Sequence, residues 1–218
     1  MNVNRILNQP DEAGGIPEAQ KSIPEQLGAG MALSDQINRA VLEKQRKLYL
    51  DGDVDSRVLE LQRMILRFNM EDAELPVQER RPIWLYIFSR GGDVDMMWSL
   101  IDTLEASETP IYTVNVGVAA SAAGLIFLAG HKRIMLRRSH VILHEGSAQL
   151  AGDAVKVMDA GESYKRLLRQ VRDYILQRTA IPVSALSKQR CHDWELDSAY
   201  CLEHHVCDVV ANKLSDIL

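Results

Sequence analysis

Apolar residues repeat along this chain in two alternating rhythms. Ile83-Trp84-Leu85-Tyr86-Ile87-Phe88 is an unbroken apolar and aromatic run of strand length, and Ile111 to Val116 is a second. Runs of this kind suit strands buried on both faces of a sheet that helices cover. Elsewhere apolar positions return every three or four residues. Val58, Leu61, Ile65 and Phe68 predict an amphipathic helix over 55–70, and Val94, Met97, Trp98, Ile101 and Leu104 form one stripe of another. Asp93 can cap this second helix and Thr109-Pro110 ends it. A small-residue turn after Val116 leads into an almost wholly apolar helix, Ala122 to Ala129. Shorter strands are predicted at Lys47 to Leu50, Arg133 to Leu136 and Val141 to His144, and a helix starts within Ile37 to Leu42. A long helix over about 153–178 carries Leu167, Leu168, Val171 and Ile175 on one face. Ile181-Pro182 stops it, and Val183 to Gln189 forms a short helix. Alternation of strands and helices predicts an α/β fold in which each strand is followed by a crossover helix. The sequence contains no internal repeat.

Composition narrows the class. A length of 218 residues suits one sizeable domain, and 46% apolar with 25% charged residues is the balance of a globular protein. Residues through Gly28-Ala29-Gly30 are rich in Pro, Gly, Gln and Glu without periodicity, so 1–35 is expected to be a flexible extension or removable leader and 36–218 the folded domain. A net charge of −5 gives no reason to expect nucleic acid or an anionic membrane as partner. The longest apolar stretch, Val118 to Gly130, is too short to span a membrane, and the first residues lack a secretory signal pattern. A cytoplasmic location is therefore expected. Cys191, Cys201 and Cys207 are odd in number and make no disulfide framework. With His204 and His205 they suggest a metal site, but a helix over 197–205 would not bring four ligands together. Neither metal nor cofactor is expected.

Four features carry possible chemistry. Ser121 lies in Gly117-Val118-Ala119-Ala120-Ser121-Ala122-Ala123-Gly124, where a buried strand meets a buried helix. Its hydroxyl sits at the positive end of that helix, beside backbone N–H groups able to bind an anion. The same residue also suits a plain helix cap, and the G-x-S-x-G elbow of many hydrolases is absent. Gly91-Gly92 follows a strand and precedes a helix; it is either a tight turn or a close backbone approach to a ligand. His144 ends the apolar strand Val141-Ile142-Leu143, facing a cleft or satisfied in the core. Asp193, in Arg190-Cys191-His192-Asp193-Trp194, is a loop carboxylate, a helix cap or an acid of a site.

Taken together, a glycine pair followed by Ser, His and Asp resembles the ClpP family of self-compartmentalising serine peptidases. The likeness covers about residues 37–218. Leu48-Tyr49-Leu50-Asp51-Gly52-Asp53-Val54-Asp55 looks like the family's first strand and acidic turn, and Ile83 to Gly92 resembles its strand ending in Ser-Pro-Gly-Gly. Gly117 to Gly130 resembles its nucleophile segment and Val141 to Gly146 its histidine strand. Gly92 to Ser121 is 29 residues, His144 to Asp193 is 49 and Asp193 to Asp208 is 15, all as in the family. Ser121 to His144, at 23, is about two shorter, and the loss falls in the turn at His131-Lys132-Arg133. Departures are Arg90 in place of proline, Ala-Ala-Gly after Ser121, Glu145-Gly146 after the histidine, and His204-His205 in place of tyrosine and glycine.

The resemblance implies a spiral of βαβ units of the ClpP/crotonase type with a protruding handle helix, here 153–178. It implies Ser121 as nucleophile, His144 as base and Asp193 as orienting acid, with the N–H groups of Gly92 and Ala122 as oxyanion donors. It also implies heptameric rings stacked in pairs around a chamber, unfolded polypeptide substrates and an AAA+ unfoldase partner, although residues 1–30 do not resemble the axial loop that engages such a partner. The rivals are a crotonase-type acyl-CoA enzyme, which would need no Ser-His pair, a non-catalytic ring subunit, and a phage-type capsid-maturation peptidase. Glu195 and Asp197 are alternative acids to Asp193.

Overall fold

The computed structural model describes residues 35–144, 146, 151–188 and 193–218; the expected leader, apart from Asp35, lies outside them. Residues 35–42 are helical and belong to a unit distinct from the one that runs from Glu43 to Leu218. The larger unit holds strands β1 (Lys47–Leu50), β2 (Ile83–Ser89), β3 (Ile111–Ala120), β4 (Lys132–Leu136), β5 (His140–Leu143), β6 (Trp194–Asp197) and β7 (Val209–Ala211). Its helices are α1 (Val58–Glu71), α2 (Val94–Ala106), α3 (Ala122–Leu128), α4 (Ala154–Arg178), α5 (Val183–Lys188) and α6 (Ser198–Glu203). This is the expected α/β fold, with a mostly parallel sheet.

Sheet order is β1-β2-β3-β4-β7, with β5 paired to β3 and β6 paired antiparallel to β5. Strand β3 is longer than its apolar run predicts. Gly117 to Ala120, expected as a turn, continue the strand, because β3 serves two neighbours on one edge. Tyr112 to Asn115 pair with β4, and Val118 to Ala120 pair with β5. At the changeover the buried Asn115 donates its side-chain amide to the His140 carbonyl (2.9 Å) and accepts from the Gly117 N–H (3.0 Å). These bonds replace the ladder bonds lost where the strand changes partner.

Three expectations are corrected. Strands β4 and β5 are joined by a turn, with no crossover helix between them, so β5 leaves the main row of strands and pairs farther along β3. Strands β6 (Trp-Glu-Leu-Asp) and β7 (Val-Val-Ala) are too short to be seen as runs; β6 takes Asp197, the first residue of the expected 197–205 helix, which starts at Ser198. The aromatic run of β2 is also not buried evenly. Ile83, Leu85 and Ile87 join the main core with α1, α2 and α3, whereas Tyr86 joins a smaller cluster with Val114, Ile134, Ala211 and Ile217. Phe88, on that second face, is 55% exposed, because a short C-terminal segment rather than a helix layer covers it.

Helix α4 is capped by Asp153, which accepts from the Lys156 N–H, and its base is fixed by Arg178. The Arg178 guanidinium donates to the Leu128 and Gly130 carbonyls at the end of α3. Only Tyr174 and Ile175 of α4 are buried, so the first half of this 25-residue helix stands away from the core.

The start of β1 is held by a buried ion pair. Arg46 donates twice to Asp72 (2.5 and 2.7 Å), and Thr109 donates to the same carboxylate. The Arg46 hydrogen bonds hold the Asp72 carboxyl below its ordinary value against the opposing effect of burial. A depressed folded-state value means stability present above the unfolded value of about 4 and lost as pH falls through the folded one. Asp72→Asn should therefore cost about 3 kcal/mol at neutral pH, since it leaves the buried guanidinium with only the half-exposed Glu71 carboxylate, 3.6 Å away, as counter-charge. Its thermal unfolding should also fall less steeply than the parent's below about pH 4. Equal stability and equal pH profiles would remove this pair from the account.

Candidate active site

Three parallel strands end on one side of the sheet, and the expected site residues follow their last residues. Gly91-Gly92 come after β2, Ser121 after β3 and His144 after β5. Antiparallel pairing of β6 with β5 sets Leu143 opposite Trp194, so the next step of the register brings Asp193 across from His144. The carboxyl ends of parallel strands are where crevices open in α/β sheets.

Ser121 has φ 54° and ψ −126°, a conformation that side chains other than glycine rarely adopt. Holding it there costs on the order of 1–3 kcal/mol. Bonds on both sides impose it: the Ser121 N–H donates to the Ile142 carbonyl (2.8 Å), and the Ser121 carbonyl accepts from Leu125 N–H (3.2 Å). The strand-to-helix turn is therefore sharp despite lacking the G-x-S-x-G pattern. Ser121 makes no capping bond, so the plain-cap alternative is not what is found.

Gly91, with φ 104°, packs directly against this turn; a Cβ there would lie 2.7 Å from the Ser121 Cβ and 2.8 Å from the Ala120 carbonyl oxygen. Gly92 pairs in parallel with Val54. In that pairing the Val54 N–H donates to the Gly91 carbonyl and the Asp93 N–H to the Val54 carbonyl. The N–H of Gly92 itself is left over by this pattern. Ala122 is the first residue of α3, and its N–H has no acceptor within the helix. Both free donors, with Ser121 and His144, line one cavity of about 80 Å3.

The rest of that cavity is largely apolar, walled by Met97, Leu125 and Leu143 and, from α4, by Leu167, Leu168 and Val171. Tyr164 also lines it, and a Cβ on Gly146 would lie 3.9 Å from the Tyr164 hydroxyl. None of these was singled out from sequence as a site residue. Leu167, Leu168 and Val171 belong to the apolar face expected of the 153–178 helix, and Tyr164 extends that face by one turn.

Asp193 is less firmly placed. Its Oδ1 lies 3.7 Å from His144 Nδ1, beyond hydrogen-bond length, and its side chain is 79% exposed against 32% for His144. Glu195 and Asp197, the alternative acids, are engaged elsewhere. Glu195 lies 3.8 Å from His140, and Asp197 caps α6. Among the described residues the Ser121 hydroxyl has no hydrogen bond, to His144 or otherwise. Glu145 and Cys191 lie outside the described residues. Cys201 and Cys207 are buried free thiols, with burial pushing Cys207 up to about 11 and Cys201 higher. Among the described residues no three His, Cys, Asp or Glu side chains converge on a possible metal position.

A hydroxyl, an imidazole and two free N–H donors at one strand-end cavity form the layout of an acyl-transfer site, in which the donors face developing negative charge. Comparison with known sequences gives the family. The sequence model described as Clp protease matches residues 29–213, and the chain belongs to that family of peptidases. It is 28% identical over 202 residues to the ATP-dependent Clp protease proteolytic subunit of Oltmannsiellopsis viridis, covering 91% of this chain and 98% of that one. It is 29% identical over 178 residues to proteolytic subunit 3 of Rhodococcus jostii, covering 81% and 86%. Over 139 residues it is 27% identical to subunit 2 of Treponema pallidum, covering 63% and 70%.

The fit of Gly91 against Ser121 makes a contrast of two glycines informative. Gly91→Ala should lower the thermal midpoint and slow active-site labelling by an acylating probe, because the new methyl meets backbone and the serine turn at an already strained φ. A Cβ on Gly117 would meet only the Phe88 ring, which is exposed and can swing aside, so Gly117→Ala should be far milder. Equal effects on the two measurements would contradict the packing described.

Proposed function

We propose that this chain is a serine endopeptidase subunit in which Ser121 attacks the peptide carbonyl and His144 takes its proton. The observation that carries this reading is the single cavity shared by Ser121, His144 and the free N–H groups of Gly92 and Ala122. The serine hydroxyl is a weak nucleophile until a base removes its proton, and the imidazole at the end of β5 is the base within that cavity. As the tetrahedral oxyanion forms, the two N–H groups receive it, the largest single electrostatic contribution in this chemistry. Asp193 holds the imidazole in the tautomer that can accept the proton and stabilises it when charged. From 3.7 Å it needs only a slight approach to bond the imidazole; catalytic hydrogen bonds are often long without substrate.

The assembly belongs to the same reading. No side chain in the outer half of α4 is fully buried in a single subunit, and Val155 and Met158 are 67% and 72% exposed. Stacking two heptameric rings through α4 would cover these positions and enclose the active sites, as soluble assemblies cover apolar surface. Such a chamber admits unfolded polypeptides. The relatives' designation as ATP-dependent supports an AAA+ unfoldase as the partner that supplies them. No helix among the described residues is long and apolar enough to cross a membrane, and the free thiols of Cys201 and Cys207 fit a reducing cytoplasm. One alternative has an observation in its favour: the unbonded Ser121 hydroxyl and the long His144–Asp193 separation suit a non-catalytic ring subunit.

A fluorophosphonate probe with mass mapping decides between them. The assembled protein should be labelled at Ser121 and hydrolyse an unstructured peptide. Ser121→Ala should abolish both while leaving the particle mass unchanged by light scattering. Asp193→Asn should assemble normally and lose roughly 10²- to 10⁴-fold in turnover, the upper end being the loss that the Asp→Asn change causes in a Ser-His-Asp peptidase of another fold. An unlabelled, inactive parent particle would favour the non-catalytic subunit, and full activity in Ser121→Ala would remove that serine from the mechanism.

A further inference from the structure

A second cavity, of about 200 Å3, adjoins the first, and His144 lines both. The two share a wall made of Leu143, His144 and the α4 residues Leu168, Val171 and Ile175. Ser121 and the two free N–H groups line the first cavity, whereas Leu186 and Trp194 close the far side of the second. Its floor is thus apolar, but its rim is cationic: Lys165, Arg169 and Arg172 lie along it on α4. Lys165 is matched by Glu162 (2.9 Å). Arg169 and Arg172, by contrast, make no hydrogen bond or ion pair with any described residue. Two guanidinium groups three positions apart on a helix face repel one another, and the exposed Glu162, which acts on Arg169 through space, is already bonded to Lys165.

The chemistry proposed for Ser121 gives the second cavity a direction. When the Ser121 Oγ–carbonyl bond forms and the C–N bond breaks, the serine proton passes through His144 to the departing nitrogen. The acyl part stays with Ser121 and the N–H donors in the first cavity. The amine-bearing part takes its proton from His144, the one group of that chemistry that lines both cavities. We infer that the second cavity is a subsite for the leaving-group side of the substrate and selects a carboxylate within the first two residues after the scissile bond. Its aliphatic stem lies along Leu168 and Val171, and its two oxygens meet the planar donors of Arg169 and Arg172, a geometry that guanidinium groups suit better than ammonium. The carboxylate is an Asp or Glu side chain or the C-terminus of a short substrate. This inference rests on the peptidase reading of Ser121 and His144.

Four quenched fluorescent peptides test it on the assembled full-length chain. They carry Glu or Gln at the second position after the scissile bond, each with a free or an amidated C-terminus directly following. The ratio of kcat/KM between acid and amide should be roughly tenfold, and should shrink as salt screens the contact. A ratio carried by Glu over Gln assigns the carboxylate to a side chain, and one carried by the free over the amidated end assigns it to the C-terminus; either supports the subsite. In Arg169→Gln and Arg172→Gln the ratio should fall towards one, with Arg172→Lys retaining part of it. Equal rates for all four peptides in a particle that labels at Ser121 would overturn the subsite and leave the peptidase reading standing. So would a ratio unchanged in both glutamine variants. Absence of both labelling and cleavage would instead overturn the peptidase reading, and the subsite with it.

Discussion

Strand β3 has to bond two different strands along one edge, and Asn115 is the residue that lets it do so. Its amide donates to β5 through the His140 carbonyl, and its oxygen receives the Gly117 N–H, so the ladder is carried across the point where β4 is exchanged for β5. That bridge keeps the backbone bonded between the last pair with β4 and the pairs of Val118 to Ala120 with β5 that carry the strand on. The strand so extended delivers Ser121 to the Ile142 carbonyl, which holds the serine at φ 54°. The strain at Ser121 is thus the end product of a pairing problem solved several residues earlier. Buried polar groups of this kind are costly unless every partner is present, and here both sides of the amide are satisfied.

From that constraint the site assembles with few further demands. β5, once placed beside β3, ends at His144. Its antiparallel partner β6 begins opposite, which brings Asp193 near the imidazole. On the other edge β2 ends in two glycines because a side chain at the first would strike Ser121 and one at the second would strike Val54. The same close approach leaves the Gly92 N–H unpaired beside that of Ala122. Helix α4 closes the cavity from outside, and its position is set by Arg178, whose guanidinium takes up carbonyls at the end of α3. The helix that follows the serine therefore fixes the base of the helix that walls its cavity.

Much of this is legible in the residues, for a physical reason. Elements buried in the centre of the sheet, such as Ile83 to Ser89 and Ala122 to Leu128, show uniform apolar runs that only such burial explains. Order and spacing picked out Ser121, His144 and the glycine pair, and the fold brings these to one cavity. What escaped was structure made by partners distant in sequence. The extension of β3 through Val118 to Ala120 depends on β5, and Trp194 to Asp197 becomes a strand only because β5 is there to pair with it. Nothing in Trp-Glu-Leu-Asp announces that. Cavity walls were missed for a different reason. Tyr164, Leu167 and Leu168 have the periodicity of any packed helix face, and spacing alone does not say whether a face meets protein or an opening.

The central claim is the acyl-transfer role proposed for the one cavity that Ser121, His144, Gly92 and Ala122 share at the strand ends. The most direct test is a crystal structure of the assembled protein carrying a fluorophosphonate-derived adduct. The account predicts phosphorus bonded to Ser121 Oγ and its free oxygen within about 3 Å of both the Gly92 and Ala122 nitrogens. His144 should then stand within hydrogen-bond reach of the serine oxygen, and Asp193 within reach of the imidazole. An adduct on Ser121 whose phosphonyl oxygen points away from both nitrogens, or an adduct on another residue, would contradict it.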